Sequence, residues 1–191
     1  MRRPAEKKTN IMKRGFLENR TIPENRNDER SKDMYLIFMR HGEAVAQTDE
    51  IANRERKLTP KGKKDVRKVS RLLSRFLKEK SLHVYFSPFV RTRQTARILA
   101  EECFAEGFHM TEELLQGDFS VVANHIMVDA SPVVLVSHHP FLQSYLLETA
   151  GAAIEFETAS IAVVDYDFQW RKGKLLAYFT PELKRIGKDE E

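Results

Sequence analysis

The chain has 191 residues, of which 41% are hydrophobic, and this suits one soluble domain with a proper core. No apolar run approaches the length of a membrane span, and the single cysteine, Cys103, excludes an internal disulfide bond, so we expect a cytoplasmic protein. The net charge of +4 lies in residues 1–33, since the rest holds 22 basic and 22 acidic residues, and this balance argues against nucleic acid as a partner.

The two ends of the chain differ in composition from the part between them. Residues 1–33 contain ten basic and six acidic side chains with few branched apolar residues, which predicts a disordered, basic N-terminal extension. Residues 184–191 are almost all polar or charged and predict a C-terminal tail. The folded domain is therefore expected at residues 34–183.

The first predicted elements are a buried strand at residues 35–39 and a polar loop at residues 43–57. A helix then begins with Thr59 as N-cap and Pro60 at its first position. Its apolar residues recur at helical spacing, so one face packs on the core. The opposite face is basic: it carries Lys61, Lys63, Lys64, Arg67, Lys68, Arg71, Arg75 and Lys78. A solvated surface explains this face most simply, and a dock for an acidic partner is the alternative.

The second half of the chain continues the alternation of strands and helices. In chain order we predict a strand at 83–86, a helix at 91–104, a short edge strand at 108–111, a helix from the N-cap Asp118 to about Met127, a strand at 133–136, a helix from Pro140 to Gly151, and strands at 160–168 and 175–179. This order predicts an α/β fold, a three-layer αβα sandwich with a mostly parallel central sheet and an antiparallel edge.

Three of these strand ends carry polar residues that suit a phosphate. Arg40, His41 and Gly42 follow the first strand, Arg91 follows Ser87 and Pro88 after the second, and His138 follows the apolar run that begins at Val133. These are the edges at which α/β folds build their sites. Arginine binds two phosphate oxygens with its planar fork, which favours Arg40 and Arg91 as a clamp.

His41 is the predicted nucleophile, because a neutral imidazole can attack phosphorus and form a phosphohistidine intermediate. Two nearby arginines disfavour its protonation, and Gly42 is expected to let the backbone turn and bring amide groups towards the oxyanion. We predict no metal, since no carboxylate or third histidine lies at ligand spacing from the adjacent His138 and His139.

Together these residues resemble the histidine phosphatase superfamily, the phosphoglycerate-mutase-like enzymes, and within it the SixA phosphohistidine phosphatase group. The matching segments are Arg40-His41-Gly42-Glu43-Ala44, Leu58-Thr59-Pro60-Lys61-Gly62, Ser87-Pro88 with Arg91, Gln94, Thr95 and Ala96, Val136-Ser137-His138 with Pro140, and Trp170 to Leu175 with Thr180 to Leu183. The resemblance implies the phosphoglycerate-mutase-like fold. It also selects His138 over His139 as the residue that donates a hydrogen bond to the transferring phosphoryl group.

The proton donor is less evident from the sequence. Larger relatives in the family carry a glutamate between the second arginine and the second histidine, where this chain offers Glu112 and Glu113; Glu43, beside the nucleophile, is a further candidate. Arg56 is an extra phosphate contact or a surface residue. The short interval between Arg91 and His138 leaves no room for a large lid subdomain, which predicts an open pocket.

These features predict a metal-independent, cofactor-free phosphatase that acts on protein phosphohistidine, such as that of a histidine phosphotransfer domain. The first alternative is a phosphatase of small phosphate esters or nucleotides. The second is a non-catalytic phosphate-binding module. Neither nucleic acid nor a membrane is expected as a partner.

Overall fold

The computed structural model describes residues 34–126 and 132–182, so the predicted N-terminal extension and C-terminal tail lie outside the described residues. The strands are β1 (Met34–Arg40), β2 (Leu82–Phe86), β3 (Ala105–Met110), β4 (Val133–Ser137), β5 (Ile161–Asp167) and β6 (Lys172–Phe179). The helices are α1 (Pro60–Leu77), α2 (Val90–Glu102), α3 (Phe119–Ala123) and α4 (Phe141–Ala150). No helix within these ranges is both long and apolar enough to cross a bilayer.

All six strands form one sheet, in the order β3-β2-β4-β1-β5-β6. The pairs β1–β4, β4–β2 and β2–β3 are parallel, whereas β5 runs antiparallel to β1, and β6 runs antiparallel to β5. The predicted mostly parallel sheet with an antiparallel edge is therefore confirmed. Because β1, β4 and β2 point the same way, their carboxyl ends meet at one edge.

The sheet has a buried apolar cluster on each face. On one face, Val66 and Leu73 of α1 and Leu99 of α2 pack against Ile37 and Val136. On the other, α3 and α4 pack against strand residues such as Phe38 and Leu135. Strands covered on both sides must be apolar throughout, which is the reason that β1 and β4 lack polar alternation. The predicted three-layer αβα sandwich is confirmed.

Helix α1 begins as its sequence predicts. The Thr59 side chain accepts a hydrogen bond from the Gly62 amide at 2.9 Å, and Pro60 occupies the first turn, where its missing N–H costs nothing. The helix ends at Lys78, which adopts a left-handed conformation and bonds back to the last turn.

Several element boundaries differ from the prediction, and β6 begins three residues earlier than expected, at Lys172. Helix α3 covers only Phe119–Ala123, because the His125 amide bonds back three residues to the Val122 carbonyl and tightens the last turn; the expected end at Met127 lies outside the described residues. Asp118 caps this helix as expected, accepting from the Ser120 amide at 2.8 Å. Strand β3 starts earlier than expected, at Ala105, and α4 begins at Phe141 with Pro140 as its N-cap.

The connection from α2 to β4 is compact. Its described residues form β3, a 3-10 helix at Glu112–Leu115 and α3. The described residues of this connection hold no large lid subdomain, in agreement with the prediction.

Candidate active site

The carboxyl ends of the parallel strands bring His41, Arg91 and His138 into contact. His41 directly follows β1, His138 directly follows β4, and the two strands are joined where the His41 amide donates to the Ser137 carbonyl at 3.2 Å. Arg91, in the first turn of α2, lies between the two imidazoles. Its Nε donates to His41 Nε2 at 3.1 Å, and its second terminal nitrogen lies 3.2 Å from His138 Nδ1. The two rings are 5.2 Å apart, edge to face.

The hydrogen bonds of His41 determine which of its nitrogens is free. Nδ1 lies 2.8 Å from the Gly42 carbonyl oxygen, which can only accept, so Nδ1 carries the proton. Nε2 therefore presents a lone pair, which accepts from Arg91. Burial, reinforced by the charges of Arg91, Arg40 and Arg56, lowers the pKa of His41 to about 4. The imidazole is thus neutral at neutral pH, as an attacking base must be.

A chain of hydroxyl groups orients His138. Its Nε2 lies 2.6 Å from Ser87 Oγ, which lies 2.9 Å from Thr92 Oγ1, and the Thr92 hydroxyl donates to the Ser87 carbonyl. Because the Thr92 hydroxyl donates to that carbonyl, it accepts from the Ser87 hydroxyl, which in turn accepts from His138 Nε2. The proton of His138 is therefore on Nε2, and Nδ1 accepts from Arg91. Burial, followed by the charges of His41, Arg91 and Arg40, lowers the pKa of His138 to about 3.

Ser87 and Thr92 received no role from the sequence. The sequence indicates Ser87 only as part of a Ser-Pro motif, and it does not single out Thr92. The signal that would have found them is a hydroxyl residue at a strand end followed by a second one in the first turn of the next helix. Such a pair can bond to each other and still leave one acceptor site for a histidine from the adjacent strand.

Arg91 is held on several sides. One terminal nitrogen donates to the Asn53 carbonyl at 2.7 Å, and the guanidinium carbon lies 4.6 Å from the centre of the Phe89 ring. Burial lowers the pKa of Arg91 to about 10, with help from the charge of Arg56. The side chain still carries its positive charge at neutral pH, and these contacts hold its planar guanidinium group in the pocket.

Arg40 approaches the same pocket from β1. It donates a hydrogen bond to the Phe156 carbonyl, while its Nε is buried and has no hydrogen-bond partner among the described residues. Burial lowers its pKa, opposed by the nearby Glu155. Its charge contributes to the lowered pKa of both histidines. An unpaired buried donor is costly, and an anion bound here would relieve that cost.

Gly42 differs from the expectation that its amide faces the phosphate. Its N–H donates instead to Thr95 Oγ1, at 3.1 Å. A Cβ atom on Gly42 would lie 2.7 Å from Val66 Cγ2 and 2.9 Å from the Gly62 carbonyl oxygen. The glycine therefore allows α1 to approach the nucleophile segment closely.

Arg56 lies at the edge of the pocket. Its Nε donates to the Val45 carbonyl at 2.6 Å, and its charge lowers the pKa of His41 and of Arg91 without a hydrogen bond to either. This arginine contributes positive potential at the rim in the absence of ligand.

The three candidate proton donors are occupied elsewhere or exposed. Glu43 accepts from the Thr59 hydroxyl at 2.7 Å. Glu113 accepts from the Thr111 hydroxyl, which lowers its pKa, and lies 3.4 Å from His125 Nε2. Glu112 is exposed. Within residues 34–126 and 132–182, none of the three is hydrogen-bonded to His41, Arg91 or His138.

The two buried histidines predict a loss of stability in acid. Each takes up a proton near pH 6.5 in the unfolded chain, but only near pH 4 for His41 and pH 3 for His138 in the folded one. The unfolded state thus binds more protons between these values, and the free energy of unfolding should fall as the pH drops from 6.5 to 4. The slope should reach about 1.4 kcal/mol per pH unit for each histidine.

Urea unfolding at pH 7, 6, 5 and 4.5 would measure this slope. His138→Asn should remove about half of it, whereas the control His139→Asn, at an exposed position, should leave it unchanged. Equal slopes in the two variants would contradict the assignment of a buried neutral imidazole to His138.

Comparison with known proteins agrees with this geometry. Residues 36–125 match the profile of the histidine phosphatase superfamily, branch 1, and this stretch includes Arg40, His41 and Arg91. This match agrees with the resemblance to the superfamily that the motifs indicate, and it supports a phosphatase activity. No curated protein matches the chain.

Several solved structures share the fold. A protein assigned as the phosphohistidine phosphatase SixA of Agrobacterium tumefaciens aligns over 78% of this chain and 99% of its own, with a TM-score of 0.67 and 18% identity. The protein histidine phosphatase SixA in complex with tungstate aligns over 78% and 97%, with a TM-score of 0.63 and 22% identity. Phosphoglycerate mutase of Plasmodium falciparum aligns over 83% and 98%, with a TM-score of 0.57 and 14% identity. The phosphoglycerate-mutase-like fold is thereby confirmed.

Proposed function

We propose that this protein hydrolyses phosphohistidine on other proteins by way of a phosphohistidine intermediate on His41. The observation that carries the proposal is the fixed tautomer of His41. Its Nδ1–H is held by the Gly42 carbonyl, and its Nε2 lone pair faces Arg91 in a buried site that also feels the charge of Arg40. A neutral nitrogen with its lone pair directed at an anion clamp suits in-line attack on phosphorus.

The reaction has two displacements. In the first, His41 Nε2 forms a bond to phosphorus while the P–N bond of the substrate breaks, and the departing imidazole nitrogen takes the electron pair and then a proton. In the second, water forms a P–O bond while the P–Nε2 bond breaks, its electron pair returns to His41 Nε2, and inorganic phosphate leaves. Water releases one proton to solvent, which balances the proton that the substrate imidazole takes from solvent in the first step. Arg40 and Arg91 balance the charge on the phosphoryl oxygens in both steps.

His138 assists by changing its protonation. Without ligand its Nδ1 accepts from Arg91, because Nε2–H is directed to Ser87. A phosphate dianion bound beside Nδ1 raises the pKa of the imidazole and stabilises the doubly protonated form. His138 then donates from Nδ1 to a phosphoryl oxygen while it keeps its bond to Ser87.

Phosphohistidine is favoured over an ester by the leaving group. The conjugate acid of imidazole has a pKa of about 6.5, so the group departs without strong acid catalysis. This matches a pocket in which none of the candidate glutamates within the described residues contacts the histidines or Arg91. The compact connection between α2 and β4, which holds no large lid among its described residues, also suits a phosphate displayed on a protein surface. The two SixA proteins that share this fold are named as phosphohistidine or protein histidine phosphatases.

A small phosphate ester is the second candidate, because phosphoglycerate mutase shares the fold. The two candidates differ in their need for a general acid, which typically contributes about 10²–10⁴-fold. We expect Glu43→Gln, Glu112→Gln and Glu113→Gln each to retain hydrolysis of a phosphohistidine protein, whereas one of them should lose ester hydrolysis by that factor. Initial rates on a phosphorylated phosphotransfer domain and on sugar phosphates and nucleotides would test this, with and without excess chelator.

Two results would count against the proposal. Loss of phosphohistidine turnover in one glutamate variant, as complete as in a variant lacking His41, would reveal a dedicated acid and favour esters. Loss of activity in chelator, restored by a divalent ion, would indicate that a metal ion and not the arginine clamp neutralises the phosphate charge.

A further inference from the structure

Six basic residues form a single row along the exposed side of α1. They are Lys61, Lys64, Lys68, Arg71, Arg75 and, at the C-cap, Lys78, and we call them the α1 stripe. They are separated alternately by three and four residues, the spacing at which side chains are neighbours on a helix surface. All six are exposed, and the row extends about 25 Å at 1.5 Å per residue.

The stripe is only partly neutralised by its own protein. Asp65 pairs with Lys61 at 2.7 Å, and Glu102 accepts from Arg71 at 2.8 Å. Lys68 donates to the Pro181 carbonyl, which carries no net charge. Across residues 34–126 and 132–182, Lys64, Arg75 and Lys78 form no ion pair. Four positive charges of the stripe thus have no ionic partner among the described residues, although residues 34–191 as a whole carry equal numbers of basic and acidic side chains.

One end of the stripe lies beside the candidate active site. The Thr59 amide, at the N-terminus of α1, donates to the Glu43 carbonyl at 3.0 Å. Gly62, next to Lys61, is so close that an added Cβ would lie 2.1 Å from the same carbonyl oxygen. Only Gly42 separates Glu43 from His41. A molecule lying along the stripe therefore reaches the pocket at its end.

We infer that the α1 stripe is the docking surface for an acidic helical face of the phosphorylated protein substrate. The inference rests on the proposed function. The match is one of charge and spacing, because a row of acidic residues three and four apart on a partner helix meets this row along its length. Leu72, half-buried between the basic side chains, adds an apolar contact. The occupant is taken to be a protein because the proposed substrate of the adjacent site is a phosphoprotein.

Charge reversal tests this surface without touching the pocket. The substrate for this test is a phosphorylated histidine phosphotransfer domain, which is a helical protein. We expect the double variant Lys64→Glu/Arg75→Glu to raise its KM by about tenfold, with kcat unchanged. Hydrolysis of phosphoramidate, which is too small to reach α1, should keep both constants. The matched control is Lys172→Glu/Lys174→Glu, which makes the same charge change at exposed positions on β6. Added salt should raise the KM of the wild type more than that of the α1 variant.

Each outcome decides a separate question. An unchanged KM for the phosphoprotein in the α1 variant, or an equal rise in the β6 control, overturns the docking surface and leaves the proposed function intact. Failure of the wild type to hydrolyse the phosphoprotein, with phosphoramidate still turned over, overturns the proposed substrate. Binding of duplex DNA that is lost in the α1 variant, with an unchanged KM for the phosphoprotein, assigns the stripe to a polyanion instead.

Discussion

His41→Ala should abolish turnover of every phosphorylated substrate and remove the labelled phosphoenzyme. The physical reason is that His41 Nε2 presents a neutral lone pair to Arg91, whereas the family resemblance assigns the pocket nitrogen of His138 to hydrogen-bond donation. Loss of a nucleophile that acts as part of a unit reduces turnover by at least about 10³-fold. The measurement is acid-quenched labelling with a ³²P-phosphohistidine protein, followed by mapping of the labelled peptide.

Two further variants make this result interpretable. His41→Asn keeps a donor for the Gly42 carbonyl but has no Nε2, so it should preserve the fold and still fail to become labelled. His139→Ala, at the exposed neighbour of His138, should be labelled like the wild type. Undiminished labelling of His41→Asn would place the nucleophile on another residue.

Arg91→Lys should reduce kcat/KM by about 10²–10³-fold although the positive charge is retained. The guanidinium reaches His41 Nε2, the Asn53 carbonyl and His138 Nδ1 with three different nitrogens. A lysine ammonium is a point charge and cannot span these groups or grip two phosphate oxygens in parallel. Steady-state kinetics on phosphohistidine protein and on phosphoramidate would measure the loss.

The matched control for this change is Arg93→Lys. Arg93 lies on α2 two residues away, is exposed, and should retain wild-type kinetics when substituted. Near-normal kinetics in Arg91→Lys would show that Arg91 is not a direct phosphate clamp. Equal losses in both variants would instead point to damage of α2.

The strands and the ends that carry the reactive residues could be predicted from the sequence. A strand covered on both faces has to be apolar throughout, so the runs that end at Arg40 and His138 could be recognised without knowledge of their neighbours. Local chemistry also identified the start of α1, because a threonine followed by proline satisfies the first turn by itself. The boundaries of α3 and β3 were less certain, since short elements depend on the elements beside them.

For the pocket, too, some features follow from the sequence and others only from the tertiary structure. The sequence by itself determined which residue types stand at the carboxyl ends of β1 and β4, because the apolar run of a buried parallel strand ends at the first polar residue. Only the tertiary structure decided how their hydrogen bonds are used. The Gly42 amide is taken by Thr95, 53 residues away, and His138 is oriented by Ser87, 51 residues away. Each of these polar groups has several possible partners along the chain, and burial leaves it with the one that the packing of α2 against the sheet brings within reach.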